Sequence, residues 1–122
     1  MTDDYKYRFG GIGRLFGTNA LAALQRAHVC VIGVGGVGSW AVEALARSGI
    51  GELTVIDWDD ICVTNVNRQL HAVDGEIGRA KVEALADRVK TINADCIFHE
   101  RQEFFSEESA ENILETPYDY VL

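Results

Sequence analysis

The chain has 122 residues, with 48% apolar content and a single proline, enough for one folded domain with a usable core and too apolar for disorder. Eleven basic residues stand against nineteen acidic ones, a net charge of −8 that argues against a long polyanion-binding surface on these residues while leaving room for a local phosphate site. Three widely spaced cysteines, Cys30, Cys62 and Cys96, form neither a CxxC pair nor a disulfide framework. No secretory peptide opens the chain and no apolar run approaches a membrane span, so a cytoplasmic protein is expected.

Met1 to Arg8 is polar and reads as frayed. Phe9 to Gly17 (FGGIGRLFG) alternates glycine with Phe9, Ile12, Leu15 and Phe16, which weakens a regular helix and suits residues 1–17 to an arm lying on another surface, such as a partner subunit's. Residues 18–122 read as one α/β domain. Thr18 caps a helix through Arg26, with Leu21 and Leu24 turned inward. Val29 to Ile32 is a strand, apolar throughout as a strand covered on both faces should be, with Cys30 as a packing residue. A helix over Gly36 to Ser48 follows, with Val37, Ala41, Ala44 and Leu45 as its inward stripe and Gly49 and Gly51 as its terminators. Leu53 to Ile56 is the second strand. Asp57 to Gly75 has no clean periodicity and is long for a structural connection, which points to function. Gly78 to Asn93 is the clearest helix, with Val82, Leu85, Ala86, Val89 and Ile92 on one face. Cys96 to His99 is a short strand, Ser106 caps a helix over Glu107 to Leu114, and Tyr118 to Leu122 begins a last strand at which the chain stops. The expectation is a Rossmann-like parallel sheet with flanking helices, truncated at its C-terminus.

The chemistry gathers around the first β-α-β unit. Gly33, Gly35 and Gly38 match GxGxxG, with Gly36 as an extra glycine. They serve the tight turn, the approach of backbone to phosphate, and close packing of helix on strand. No GK[ST] follows, which excludes the phosphate-loop ATPase design. Asp57 closes the second strand 19 residues after Gly38, where a carboxylate accepts hydrogen bonds from ribose hydroxyls. To this point NAD and ATP fit equally. Arg68, in TNVNRQ with Asn65 and Gln69, and Lys81 in the first turn of the next helix offer a fork and a point charge for a more heavily charged phosphate tail. A departing pyrophosphate needs such stabilisation, and a lysine at a helix start otherwise opposes the helix dipole. Asp59 and Asp60 are within reach of a phosphate-bound metal. His71 and His99 lack metal-ligand spacing and read as surface or loop histidines, so no metal ligand is assigned.

The segments RFGGIGRLFG (Arg8 to Gly17), VIGVGGVGSWAVEALARSGIG (Val31 to Gly51), DWDDICVTNVNRQLHA (Asp57 to Ala72) and GRAKVE (Gly78 to Glu83) resemble the adenylating domain of ubiquitin-activating enzymes and of the bacterial adenylyltransferases that serve sulfur-carrier proteins in molybdopterin and thiamine synthesis. Within that superfamily they are most similar to the tRNA threonylcarbamoyladenosine dehydratase branch. The resemblance implies an ATP- and Mg²⁺-dependent, cytoplasmic, homodimeric enzyme that activates a carboxylate on tRNA adenosine 37 and cyclises it. It places ATP on Gly33 to Gly38, Asp57, Asp59, Asn65, Arg68, Gln69 and Lys81. Many relatives carry an arginine–glutamine pair whose arginine reaches across the dimer; Gly11 and Ile12 stand in those places, and Arg14 is the nearby substitute. The family's magnesium-linked aspartate falls just after the strand that YDYVL begins, beyond this chain. Two alternatives stay open: an adenylyltransferase for a small sulfur-carrier protein, with a sulfur-relay partner, and a non-catalytic nucleotide-binding domain.

Overall fold

In the computed structural model, which describes residues 1–122, four parallel strands form one sheet in the order β3-β2-β1-β4. The strands are β1 (His28–Ile32), β2 (Glu52–Ile56), β3 (Ile97–Arg101) and β4 (Tyr120–Val121). The helices are α1 (Asp3–Phe16), α2 (Thr18–Arg26), α3 (Gly38–Arg47), α4 (Lys81–Ile92) and α5 (Glu107–Leu114), with a short 3-10 helix at Val63–Asn67. This is the α/β, Rossmann-like architecture the sequence predicts. β1 and β2 bury seven of their ten residues and half-bury the other three, as parallel strands covered on both faces do. Val29, Val31, Leu53 and Val55 meet Val42 and Ala46 of α3 and Val82, Leu85 and Val89 of α4 in the main core. On the opposite face Cys30, Ile56 and Ile113 of α5 form a smaller cluster. No helix is long and apolar enough to cross a membrane.

The N-terminal segment departs from its sequence reading. Residues read as frayed or too glycine-rich for a helix form α1, capped by Thr2, whose hydroxyl accepts from Tyr5 N at 3.1 Å, and opened by Asp3 and Asp4 in the favourable first turn. Tertiary packing overrides the glycines' low propensity. Tyr5 and Phe9 are buried against Leu21, and the Tyr5 hydroxyl donates to Gly49 O at 2.6 Å. A Cβ on Gly13 would stand 3.3 Å from the Leu21 side chain, so the glycine there serves close contact between α1 and α2. Leu15 and Phe16 are exposed on this chain. Thr18 is the first residue of α2 rather than its cap; Gly17 takes that place without a side-chain bond.

The inward face of α3 is also displaced from its reading. Ser39, Val42, Glu43 and Ala46 are buried, whereas Val37 is 85% exposed and Ala44 faces solvent. The apolar stripe was misleading because two polar residues on the true inner face have partners. Glu43 accepts from Arg88 Nε and Nη2 at 2.9–3.1 Å, joining α3 to α4, and Ser39 ties α3 to the loop that follows β2. By contrast α4 buries Val82, Leu85, Ala86 and Val89 as predicted, although it begins at Lys81 rather than Gly78. The predicted α5 limits and its Ser106 cap agree with the structure.

Candidate nucleotide site

The site lies past the carboxyl ends of β1 and β2, where an open parallel sheet leaves a crevice. β1 ends at Ile32, and Gly33 adopts φ 83°, a left-handed conformation that turns the chain toward α3. Gly33 N donates to Ile56 O at 2.8 Å, which holds the turn over the end of β2. Gly38, the first residue of α3, packs directly on that turn: a Cβ there would lie 1.7 Å from Gly33 O. Gly35 and Gly36 keep the middle of the turn open. A Cβ on Gly35 would meet Gln69 Nε2 at 3.5 Å, and one on Gly36 would meet Arg68 Cδ at 3.7 Å.

Asp57 braces this turn. One carboxylate oxygen accepts from Val34 N at 2.8 Å and the other accepts from Asp59 N at 2.8 Å. Each oxygen keeps a free lone pair, so the brace does not exhaust its capacity to receive ribose hydroxyls. The chain then returns along itself. Ile61 N donates to Arg79 O at 2.8 Å, Gly78 N to Ile61 O at 2.8 Å and Lys81 N to Asp59 O at 3.1 Å. These pairings deliver Lys81 to the site at the start of α4. Lys81 is only 5% exposed, and its Nζ lies 3.9 Å from a carboxylate oxygen of the exposed Asp59. A buried ammonium with one loose partner at a helix N-terminus is a costly arrangement for stability alone.

The residues between are ordered by the 3-10 helix. Asn65 Oδ1 accepts from Cys62 N at 2.9 Å and caps it. Arg68 folds back over Gly36, its guanidinium donating to Thr64 O at 3.2 Å and Asn67 Oδ1 at 2.8 Å, with its head exposed. Trp40 Nε1 donates to Arg68 O at 2.9 Å and fixes that backbone against α3. Gln69 is buried, and its Oε1 has no partner. Glycines 33, 35, 36 and 38, Asp57, Asp59, Asn65, Arg68, Gln69 and Lys81 therefore share one end of the sheet. Arg14 does not join them: it is exposed on α1, whose contacts with Gly49 and Ile92 lie at the other end of the strands.

Sequence reasoning missed His71. Read as a surface or loop histidine, it is buried, and its Nε2 lies 2.8 Å from Val34 O. A carbonyl only accepts, so Nε2 carries the hydrogen and Nδ1 is left as a buried acceptor without a partner. Burial pushes the imidazole pKa below its ordinary value, the Val34 bond opposes that shift, and the Lys81 charge adds to it. His71 is a neutral strut behind the glycine turn. Its position three residues after Arg68 gave no sign of this, because the contact spans 37 positions.

An open glycine cradle, a carboxylate brace with spare lone pairs and two cations fit a nucleotide with a charged phosphate tail. Comparison with known proteins agrees. The sequence model of the ThiF family matches residues 11–122. The tRNA threonylcarbamoyladenosine dehydratase of Haemophilus influenzae is 59% identical over 120 residues, which cover 98% of this chain and 46% of that protein. The molybdopterin-synthase adenylyltransferase of Salmonella typhimurium is 42% identical over 71 residues, 58% of this chain and 28% of that one. Among solved structures, the E. coli tRNA N6-threonylcarbamoyladenosine dehydratase in complex with ATP superposes with a TM-score of 0.97 at 48% identity, covering 98% of this chain and 49% of that one. The chain spans about half the length of the dehydratases it matches.

Proposed function

The chain belongs to the ThiF family, and from that premise we propose that it serves in the ATP-dependent dehydration of N6-threonylcarbamoyladenosine at position 37 of tRNA, through activation of the threonylcarbamoyl carboxylate. The observation that carries the reading is the placement of Arg68 and Lys81 beside a glycine turn braced by Asp57. ATP would supply the activating group, and Mg²⁺ would shield its phosphates. The backbone N–H groups from Gly35 to Gly38, at the start of α3, bind phosphate oxygens, those of Gly33 and Val34 being taken by Ile56 and Asp57. Asp57 orients the ribose, Asn65 and Gln69 offer amide donors, and Arg68 and Lys81 neutralise the charge that grows on the departing pyrophosphate. Asp59 sets the position of Lys81 and would offer a carboxylate to a phosphate-bound Mg²⁺. The carboxylate attacks the α-phosphorus and releases pyrophosphate. A nitrogen or hydroxyl of the modified nucleoside then attacks the acyl carbon, AMP leaves with the former carboxylate oxygen, and the nucleophile's proton passes to solvent. In sum the substrate has lost the elements of water. In a cytoplasmic homodimer, Arg14 is the candidate for a residue that acts on the partner's site.

Two measurements test this. Titration of the chain with ATP, AMP and NAD reads the site itself: adenine mononucleotides bind in preference to NAD, and tight NAD binding without that preference overturns the assignment. Turnover is measured in a protein of the relatives' full length carrying these 122 residues, with ATP and tRNA bearing the modified base. Arg68→Ala and Lys81→Met each lower turnover by roughly 10²–10³-fold, the usual cost of removing one charged contact to a transition state, with the circular dichroism spectrum unchanged. Full turnover in either variant refutes the clamp. The acidic balance of the chain, −8, favours the second reading, activation of the C-terminus of a small sulfur-carrier protein. Offering both substrates to the same preparation and detecting either the cyclised nucleoside or an adenylated carrier separates the two. ATP binding with neither product is the outcome expected of a non-catalytic nucleotide-binding domain.

A further inference from the structure

At the opposite end of the sheet, the first residues of β1 and β2 and the third residue of β3 bring together two imidazoles and a carboxylate. In the parallel register His28 of β1 pairs with Glu52 of β2, and Thr54 of β2 pairs with His99 of β3. Paired residues and those two steps along a strand share a face, so His28, Glu52, Thr54 and His99 all project from the α5 side. His99 Nε2 lies 2.6 Å from Glu52 Oε2, and His28 Nδ1 lies 3.6 Å from the same oxygen. The ligand-capable atoms of the three residues all fall within 4.8 Å of one another.

We propose that His28 Nδ1, Glu52 Oε2 and His99 Nε2 form a binding site for one divalent transition-metal ion of the Zn²⁺ class. Two nitrogens and one carboxylate oxygen suit Zn²⁺, Co²⁺ or Ni²⁺ rather than the all-oxygen preference of Mg²⁺ or Ca²⁺. Metal–ligand bonds of about 2.0–2.2 Å in a tetrahedron place ligand atoms roughly 3.4 Å apart. The His28–Glu52 spacing already matches. The His99–Glu52 spacing must open by under about 1 Å, and His99 is exposed and free to swing outward.

The surroundings hold the ligands as a metal site requires. His28 Nε2 is bonded to Thr54 Oγ1 at 2.7 Å, which orients the ring and leaves Nδ1 toward Glu52. The Tyr118 ring packs edge-on against His28, centroids 4.8 Å apart, and the backbone N–H of His28 donates to Asp119 Oδ2 at 2.8 Å. The charged groups facing the cluster are thus Glu52 from β2, His99 from β3 and Asp119 from the turn before β4. Cys96 packs in the main core on the opposite, α3 and α4, face of the sheet and is not a competing ligand. Three protein ligands leave a position for water. The ion would take the place of the His99–Glu52 hydrogen bond, and it would fasten β1, β2 and β3 together in the folded state only.

The test is a Co²⁺ titration of the chelator-stripped 122-residue chain, followed by visible absorption and by the imidazole resonances. The chain has three histidines, so His71 serves as the internal reference. One equivalent of Co²⁺ binds, is displaced by Zn²⁺, and broadens the His28 and His99 ring signals before that of His71. His99→Asn, at an exposed position, lowers affinity at least tenfold and abolishes the rise in Tm produced by Zn²⁺. Cys62→Ser, which removes the one exposed thiol, leaves affinity unchanged. Equal broadening of all three imidazoles, or an affinity in His99→Asn equal to that of the unmodified chain, overturns the proposal. So does loss of binding in Cys62→Ser.

Discussion

Asp57→Asn separates the brace from the ribose contact. The carboxylate accepts one N–H from Val34 in the glycine turn and one from Asp59 in the following loop, each at 2.8 Å. Asparagine preserves size but keeps only one acceptor, and however its amide is flipped, one backbone N–H meets an NH₂ group. One charge-assisted bond, worth about 1.5–3 kcal/mol, is lost, and the survivor becomes a weaker neutral bond. The side chain is half-buried and Asp59 is exposed, so water recovers part of the loss, and the net cost is about 1–3 kcal/mol. For a chain of 122 residues, an unfolding entropy of about 2.1 cal/mol/K per residue turns this into a fall in Tm of roughly 4–12 °C. Urea titration followed by circular dichroism should show a lower midpoint at an unchanged slope. A variant with the midpoint of the unmodified chain but weakened ATP binding would refute the brace and leave Asp57 with the ribose alone.

The other predictions concern the supports of the same sheet. Gly38→Ala puts a Cβ 1.7 Å from Gly33 O; the backbone must move, so stability falls by about 1–3 kcal/mol or more and calorimetric ATP affinity falls with it. Tyr5→Phe removes the donor to the buried Gly49 carbonyl and lowers stability by about 1–2 kcal/mol in urea, whereas a dispensable arm would show no change. Glu43→Gln weakens the α3–α4 link to Arg88, whose side chain is 47% exposed; with that solvent screening the cost is about 1–2 kcal/mol, read the same way. His71, its pKa lowered by burial, contributes stability that is fully present above the unfolded imidazole's value of about 6.5 and is lost as pH falls through the folded value, because the unfolded state takes the proton first. An NMR titration midpoint for His71 at or above 6.5 would contradict this.

Sequence carried the β-α-β order and the α/β class because both are local: apolar runs, a glycine cluster and a 3.6-residue period announce themselves within a dozen positions. The same holds for α4, whose face follows from Val82, Leu85, Ala86 and Val89. It failed at α1 and α3 for one reason. α1 is held by Tyr5 reaching Gly49, 44 positions away, and the buried face of α3 carries Glu43, whose partner Arg88 is 45 positions away. Polar residues buried by distant partners, and glycines tolerated because a distant side chain needs the room, are invisible to periodicity. The grouping of Gly33 to Gly38 with Asp57, Arg68 and Lys81 was legible because a motif places each of them at a fixed point on strand, loop or helix. That Lys81 is buried, and that backbone pairing from Asp59 to Gly78 delivers it, was not.

His28, Glu52 and His99 show the same limit from the other side. Intervals of 24 and 47 positions, from His28 to Glu52 and from Glu52 to His99, match no ligand spacing, so sequence gives no reason to join them. Parallel pairing makes the joining unavoidable. Once β1 is registered on β2 and β2 on β3, period-two alternation sends all three side chains to one face within a span of two residues. A slip of one residue in β3 would turn His99 to the α4 face and leave Glu52 without its closest partner. The register that buries Val29, Leu53 and Phe98 against α3 and α4 therefore also assembles the two-imidazole cluster on the opposite face. Glu52→Gln supplies the corresponding check: it leaves that core and its register untouched, so hydrogen exchange of the β2 amides stays slow while Co²⁺ affinity falls at least tenfold. Slow exchange with undiminished Co²⁺ affinity would mean that the carboxylate only bridges the two imidazoles and does not ligate.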